Sequence, residues 1–453
     1  MGERGRKKSN LEDSAVLESR TSQWWSFSSL IPLFTGVLWM LLAVGGGVPG
    51  ILVGLVPGVL LLGTGLSGLL WAVDSRTFQH MALASSLGML LSLPAVGIFG
   101  TPVAAVLGAG SAASFLATGY LAFGKHRCPT GVPTPKTGPS LAARAAVNEL
   151  MMCALILTSW PIVVGWSATR VRREATDAYG LFEERGWFED PASYHQDPPP
   201  LEEPEIHYHE RQGRRVECLT FESLYEPHPG EPGRERWMGY EKNRTVHAWV
   251  LRHEDDDRPW LICVHGIRMG TLGKSLTRFK PEYLHEELGL NLLMPVLPLH
   301  GPRDTGLVSG ERTLSGDLMD TLHTGAQAVW DLRRLVSWLR ATEGASSVGA
   351  LGHSLGGYAV SLLASLEEDL DCAVAGNPAV DPSDLFWTNM LAVATHSLSA
   401  EGIRQETFRE LLRPVSPLAL EPLLPRGAQG HLCRHGGPRN HPGPGTRPLG
   451  ALG

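Results

Sequence analysis

The chain has 453 residues, a formal net charge of −7 and a hydrophobic fraction of 43%. This length exceeds one typical domain and predicts two or three units of different character, while the acidic balance excludes a nucleic-acid partner, whose phosphates favour a basic face. The six cysteines are scattered without a C-x-x-C pair, so they indicate neither zinc ligands nor a disulfide framework. We predict no metal and no cofactor.

The N-terminal part has the pattern of a membrane segment. Residues 21–73 and 77–124 contain no Asp, Glu, Lys or Arg, and a helix needs about 20 apolar residues to cross a bilayer. Each block has room for two spans, so we predict about four transmembrane helices within residues 25–124. Because the apolar stretch is too long for a cleaved secretory signal, we interpret the polar residues 1–24 as a basic cytoplasmic tail.

The basic residues of the loops predict the orientation of these helices. Four of them follow the last predicted span: Lys125, Arg127, Lys136 and Arg144. Since Lys and Arg are retained on the cytoplasmic side, we predict a multi-pass protein of the cell membrane whose later domain faces the cytoplasm, after a linker at residues 125–148. Residues 149–174 form either an interfacial helix, which their basic flanks favour, or a fifth membrane helix that would place the later residues outside.

The rest of the chain has the pattern of an α/β domain. Residues 175–245 are interpreted as a connector and pre-domain, and residues 246–425 as the domain itself. Strand-like runs and helical patterns alternate there as WLICV (260–264), LNLLMPV (290–296), a helix at 316–340, VGAL (348–351), a helix after residue 354 and LDCAVAGNPAV (370–380). This alternation predicts a mostly parallel, doubly wound sheet covered by helices.

The stretch VGALGHSLGGYAV, residues 348–360, predicts a buried strand, a tight turn at Ser354 and a helix. A turn of this kind holds its serine in a strained conformation. It needs glycine two residues before and two residues after the serine, because the strand and helix backbones approach closely. Gly352 and Gly356 stand at these positions, which makes Ser354 a candidate nucleophile.

A second loop supplies candidate donors for an oxyanion. The apolar run of residues 260–264 ends in His265-Gly266. A loop at this place presents one backbone N–H to the oxyanion, and the residue after the nucleophile presents the other. Ile267 and Leu355 are therefore the candidate oxyanion donors.

These motifs together resemble the α/β-hydrolase superfamily. The His265-Gly266 loop, the loop PLHGPR (298–303), the turn GHSLGG and the upstream membrane segment are similar, more narrowly, to bacterial membrane-associated α/β hydrolases of undefined substrate. The resemblance covers about residues 215–420. It implies a serine nucleophile, an oxyanion hole and ester-type hydrolysis, and it names no substrate.

The chain departs from the superfamily after Ser354. A triad needs a base to activate the serine and an acid to orient the base, and the superfamily places them late, in the order Ser, acid, His. The final residues 426–453 are rich in Gly, Pro, Arg and His and contain no acidic and no aromatic residue. We therefore expect the C-terminal strands to be missing and residues 426–453 to be a disordered or frameshifted tail, since a reading one base out of phase permits a globular sequence there.

Candidates for the acid and the base remain within the chain. Asp381 and Asp384 follow the strand after the turn, where some α/β hydrolases place their acid, and the favoured alternative is that Asp381 caps the next helix. His431, His435 and His441 are candidates for the base, although no predicted strand holds them in position.

His207 and His209 alternate as on one face of a strand, as in a metal site, but no third ligand accompanies them and a surface strand is favoured.

The sequence as a whole predicts a membrane-anchored serine hydrolase of an ester or thioester, with a small-molecule or lipid-like substrate and membrane lipid around its helices. The alternative is a non-catalytic membrane protein that keeps the scaffold for binding. The sequence does not indicate an oligomeric state.

Overall fold

The computed structural model describes residues 28–70, 75–125, 138–165, 167–211, 213–254, 258–314 and 317–432. The predicted basic tail at residues 1–24 lies outside this part of the chain. The described residues form two compact units, which divide between Leu157 and Thr158.

The first unit consists of apolar helices. They are α1 (Ser28–Gly45), α2 (Gly47–Leu70), α3 (Ser75–Phe99), α4 (Thr101–Lys125) and α5 (Pro139–Gly165), the last of which continues past residue 157. All five are long and apolar enough to cross a membrane, judged by length and composition. Glycines bring α1 and α2 together, because a Cβ added to Gly36 would lie 2.3 Å from the Leu62 nitrogen, and one added to Gly65 would lie 2.5 Å from that of Leu33. Small residues at helix contacts are typical of membrane bundles.

The fifth helix differs from its prediction. It begins at Pro139, inside the predicted linker 125–148, and its membrane-length part is Pro139–Thr158 rather than the segment 149–174. Proline suits the first turn of a helix, and the alanine-rich run that follows favours helix over linker. Isolated charged residues interrupt this run, so the sequence does not show that it continues into the apolar segment as one helix. The membrane location of these helices and the side that the later domain faces both stay predictions.

The second unit is built on one sheet of eight strands. They are β1 (Glu205–Arg211), β2 (Arg214–Glu222), β3 (Thr245–Leu251), β4 (Trp260–Val264), β5 (Asn291–Pro295), β6 (Val348–His353), β7 (Cys372–Gly376) and β8 (Gln429–Leu432). Their order across the sheet is β1-β2-β3-β5-β4-β6-β7-β8. The strands β1 to β3 are antiparallel to their neighbours, and β5, β4, β6, β7 and β8 are mutually parallel.

Helices cover both faces of this sheet. They are α6 (Ala168–Arg185), α7 (Arg234–Met238), α8 (Leu272–Phe279), α9 (Leu318–Ala341), α10 (Leu355–Leu363), α11 (Pro382–Asn389), α12 (Ala392–Ala400) and α13 (Gln405–Leu411). Alternate residues of a strand point to opposite faces of the sheet and pack in different cores. In β4, Ile262 packs in the large core with α9 and α10, and Cys263 packs in the smaller core under α8. The helix predicted at 316–340 is α9, and one apolar side of it is buried throughout: Leu318, Leu322, Ala326, Val329, Leu332, Leu335 and Leu339.

The sheet is longer than predicted at both ends. It begins at Glu205, within the predicted connector 175–245, where the surface strand favoured for His207 and His209 forms β1. This strand is exposed along its whole length, so the sequence offers no buried face that would assign it to the sheet. The sheet ends with β8, within the predicted tail 426–453, where Ala375 of β7 pairs with His431. A four-residue edge strand with the sequence QGHL has no apolar run that a sequence pattern could detect. Residues 433–453 lie outside the described part.

Candidate active site

Ser354 lies at a sharp bend between β6 and α10. Its φ of 57° and ψ of −117° lie outside the regions that L-residues normally occupy, at a cost of about 1–3 kcal/mol. Two hydrogen bonds hold the bend. The Ser354 N–H donates to the Gly376 carbonyl at 2.8 Å, and the Tyr358 N–H donates to the Ser354 carbonyl at 2.9 Å. The serine is half-buried, so its side chain remains within reach of solvent.

The two glycines of the turn have no room for a side chain. A Cβ added to Gly352 would lie 2.1 Å from the Gly356 carbonyl oxygen, and one added to Gly356 would lie 2.0 Å from that of Val264. Both obstacles are main-chain atoms of packed elements, so neither can move aside. Strand β6, helix α10 and strand β4 therefore approach one another as closely as their backbones allow.

Parallel pairing brings the end of β4 beside the serine. Val264 pairs with Gly352, which in turn pairs with Ala375 of β7, so the carboxyl ends of these strands meet at one edge of the sheet. A Cβ on Gly266 would lie 3.6 Å from the Ser354 Cβ. The loop that carries Ile267 thus starts directly beside the serine. Leu355 is the first residue of α10, where backbone N–H groups have no partner within the helix.

His265 and His300 lie in neighbouring loops that follow β4 and β5. Their rings contact each other with centroids 5.1 Å apart, and both are buried. Burial lowers the pKa of His265 to about 4 and that of His300 to about 3, because a charged imidazole loses its hydration there. Nδ1 of His300 hydrogen-bonds to the Pro298 carbonyl at 2.8 Å. Both rings are therefore neutral near pH 7.

The side chain of Asp381 caps a helix. Its Oδ1 accepts a hydrogen bond from the Asp384 N–H at 2.9 Å at the start of α11, and its Oδ2 lies 3.5 Å from Nε of Arg409. These contacts agree with the alternative that Asp381 caps the next helix. Of the candidate bases, His431 lies in β8, while His435 and His441 lie outside the described residues.

We predict that Asp381→Ala lowers the free energy of unfolding by about 1 kcal/mol, the usual cost of losing a helix cap, and leaves the reactivity of Ser354 unchanged. Denaturant unfolding and labelling of the serine with a fluorophosphonate measure the two effects. As a control, Asp384→Ala changes the neighbouring carboxylate and keeps the capping side chain. A loss of labelling in Asp381→Ala alone would make Asp381 the acid.

A buried ion pair under this edge of the sheet was not predicted from the sequence. Arg303, at the end of the PLHGPR loop, is fully buried and lies 2.8 Å from Asp331 of α9. Its guanidinium also donates to the carbonyls of Val296 and Asn243, both at 2.9 Å. The one signal in the sequence is the position of Asp331, which lies between the apolar residues Val329 and Leu332 of the buried helix α9.

His207 and His209 are exposed residues of β1. His207 lies 3.6 Å from Glu205, and the His209 ring packs edge-on against Trp249. Within the described ranges no group of three His, Cys, Asp or Glu side chains is arranged to hold a metal ion.

Comparison with known proteins identifies close relatives. Two proteins of Mycobacterium tuberculosis, Uncharacterized protein MT2702 (strain CDC 1551 / Oshkosh) and Uncharacterized protein Rv2627c (strain ATCC 25618 / H37Rv), are 40% and 39% identical to this chain. Each match extends over 300 residues and covers 66% of this chain and 71% of the relative. No protein-family model matches the chain.

Among solved structures, the similar ones include esterases. Acetyl xylan esterase from Paenibacillus sp. R4 is 10% identical, with a TM-score of 0.36 over 54% of this chain and 82% of that chain. A cold-adapted esterase from an Arctic intertidal metagenomic library is 12% identical, with a TM-score of 0.31 over 51% of this chain and 89% of that chain.

Proposed function

The chain belongs to the family of the two Mycobacterium tuberculosis proteins MT2702 and Rv2627c, and we propose that its sheet domain is a serine hydrolase of carboxylic esters or thioesters. The observation that carries the proposal is the bend at Ser354. A non-glycine residue is held at a positive φ, between two glycines that tolerate no side chain, at the edge where three parallel strands end. Strain of this kind persists where the surrounding structure enforces it, and it concentrates at functional sites.

The proposed reaction has two steps. Oγ of Ser354 attacks the carbonyl carbon of the substrate, and the negative charge that develops on the carbonyl oxygen is stabilised by the N–H groups of Ile267 and Leu355. The proton of the serine hydroxyl passes to the leaving alcohol or thiol as the carbonyl–heteroatom bond breaks. Water then hydrolyses the acyl-enzyme, which releases the carboxylic acid and restores the hydroxyl of Ser354. The proposal assigns no base and no acid.

The N-terminal helices support a particular substrate class. Five helices with the length and composition of membrane spans belong to the same chain, so the hydrolase would act where lipid-like esters are concentrated. We accordingly propose a membrane anchor and an ester with an apolar acyl chain. The competing function, a scaffold that binds without catalysis, would share the bend and lack reactivity at the serine.

We expect the full-length protein, in native membranes or detergent, to react with a fluorophosphonate probe at Ser354. Ser354→Ala should reduce both the labelling and the hydrolysis of medium-chain nitrophenyl esters by at least about 10³-fold, as for other activated serines. Ser361→Ala is the matched control, since Ser361 lies on the same helix and its hydroxyl bonds to the Gly357 carbonyl. Folded protein that resists the probe, or labelling that survives in Ser354→Ala, would favour the scaffold.

A further inference from the structure

The imidazole of His265 joins two loops at the candidate site. Its Nε2 accepts a hydrogen bond from the Leu297 N–H at 3.1 Å, and its Nδ1 lies 2.8 Å from the Gly266 carbonyl oxygen. A backbone N–H can be accepted only by a nitrogen that carries no proton. The single proton of the neutral ring is therefore on Nδ1, which donates to Gly266.

This hydrogen bond fixes the orientation of one peptide group. The Gly266 carbonyl and the Ile267 N–H belong to the same planar unit, and in a trans peptide they point in opposite directions; the backbone contains no cis peptide among the described residues. Holding the carbonyl against the His265 ring thus sets the direction of the Ile267 N–H. We propose that His265 is a positioning residue, which aims the Ile267 N–H at the oxyanion by clamping the Gly266 carbonyl. The inference rests on the function proposed above.

The clamped peptide lies where such an effect would matter. A Cβ on Gly266 would be 3.2 Å from the His353 carbonyl oxygen and 3.6 Å from the Ser354 Cβ, so the peptide runs alongside the serine. A donor acts on an oxyanion only when it is already aimed at the place where charge develops. A rotation of this one peptide would turn the N–H away while leaving the serine in place.

The ring of His265 is itself held from beneath. The Leu297 N–H that donates to this ring belongs to the same peptide group as the Val296 carbonyl. That carbonyl accepts a hydrogen bond from the Arg303 guanidinium at 2.9 Å. Arg303 is paired in turn with Asp331 of the buried helix α9 at 2.8 Å. A continuous set of hydrogen bonds therefore runs from α9 through Arg303 and His265 to the peptide beside Ser354.

Two substitutions separate the two hydrogen bonds of His265. The amide nitrogen of an asparagine side chain takes the place of Nδ1, and the amide group of glutamine reaches the place of Nε2. His265→Asn keeps the clamp on Gly266 and loses the bond to Leu297, whereas His265→Gln does the reverse. Each variant loses one buried hydrogen bond, so their unfolding midpoints should shift by similar amounts.

The experiment measures the rate of fluorophosphonate labelling and the hydrogen exchange of residues 264–270 in the full-length protein. We expect His265→Gln to lose at least tenfold in labelling rate and to exchange faster at Ile267, and His265→Asn to retain most of the rate and the protection. His195→Asn controls for lost stability, since it removes a part-buried hydrogen bond to the Pro414 carbonyl and should not change labelling.

The outcomes distinguish this inference from the function on which it rests. If the unaltered protein is not labelled, the hydrolase proposal fails, and exchange at Ile267 still tests the clamp. If the unaltered protein is labelled but His265→Asn and His265→Gln lose rate equally, or neither loses any, then His265 has only a structural role and the inference is overturned.

Discussion

Gly356→Ala is expected to lower the free energy of unfolding by at least about 3 kcal/mol, the upper end of the usual cost of overpacking. The new methyl group would lie 2.0 Å from the Val264 carbonyl oxygen and 2.6 Å from that of His265. Strand β4 cannot withdraw, because it is paired on one side with β5 and on the other with β6. The first turn of α10 would have to move instead, and Ser354 with it.

Denaturant unfolding of the full-length protein, followed by tryptophan fluorescence, measures this effect. Gly180→Ala is the matched control, since Gly180 lies within helix α6 with no atom close to an added Cβ, and alanine there should stabilise by about 1 kcal/mol. We also expect Gly356→Ala to be unreactive toward a fluorophosphonate. Equal stability of the two variants would mean that the strand, bend and helix do not meet as closely as described.

The centre of the sheet could be predicted because its strands are buried on both faces. Trp260–Val264 was predicted residue by residue, since five apolar residues between Pro259 and His265 indicate a buried strand. The outer strands gave no such signal. All seven residues of β1 are exposed, and β8 is an edge strand of four residues, so both are defined by pairing with neighbours rather than by their own composition.

The bend at Ser354 was also predictable, because its pattern is local. Glycines at fixed distances on either side of a serine, between an apolar run and a helix, require no knowledge of distant residues. The partners of a nucleophile are different, since they are set by the way remote segments meet. Asp381 shows this difference, because only coordinates reveal that its two oxygens face Asp384 and Arg409.

The hydrogen bonds of His265 could be predicted only in part. The sequence places this histidine in a loop but cannot show that its ring connects Leu297 to Gly266, because residue 297 belongs to a different strand-to-loop connection. The pairing of Arg303 with Asp331 is likewise invisible in the sequence, since the two residues belong to different elements. Both contacts depend on the order of β5, β4 and β6 across the sheet.

Arg303→Met is expected to lower the free energy of unfolding by about 3–5 kcal/mol, because it leaves the carboxylate of Asp331 buried without its counter-charge. The arginine is fully buried, and Asp331 is nearly so. Among the described residues, Asp331 keeps one other hydrogen bond, from the Ser223 hydroxyl, and the nearby charge of Arg334. Neither replaces a paired guanidinium for an ionised carboxylate. The variant should also be labelled more slowly at Ser354, since Val296 and Leu297 lose the support that holds His265.

A double-mutant cycle on Arg303→Met and Asp331→Asn, followed by denaturant unfolding, isolates the ion pair from the packing of its side chains. The double variant should recover part of the stability lost in Arg303→Met, because the uncompensated charge is removed. Arg244→Met is the control, since its ion pair with Glu222 is exposed on both sides and should contribute less than about 1 kcal/mol. If Arg303→Met behaves like this control, the ion pair cannot support the loop, and the connection from α9 to the Ile267 peptide must be abandoned.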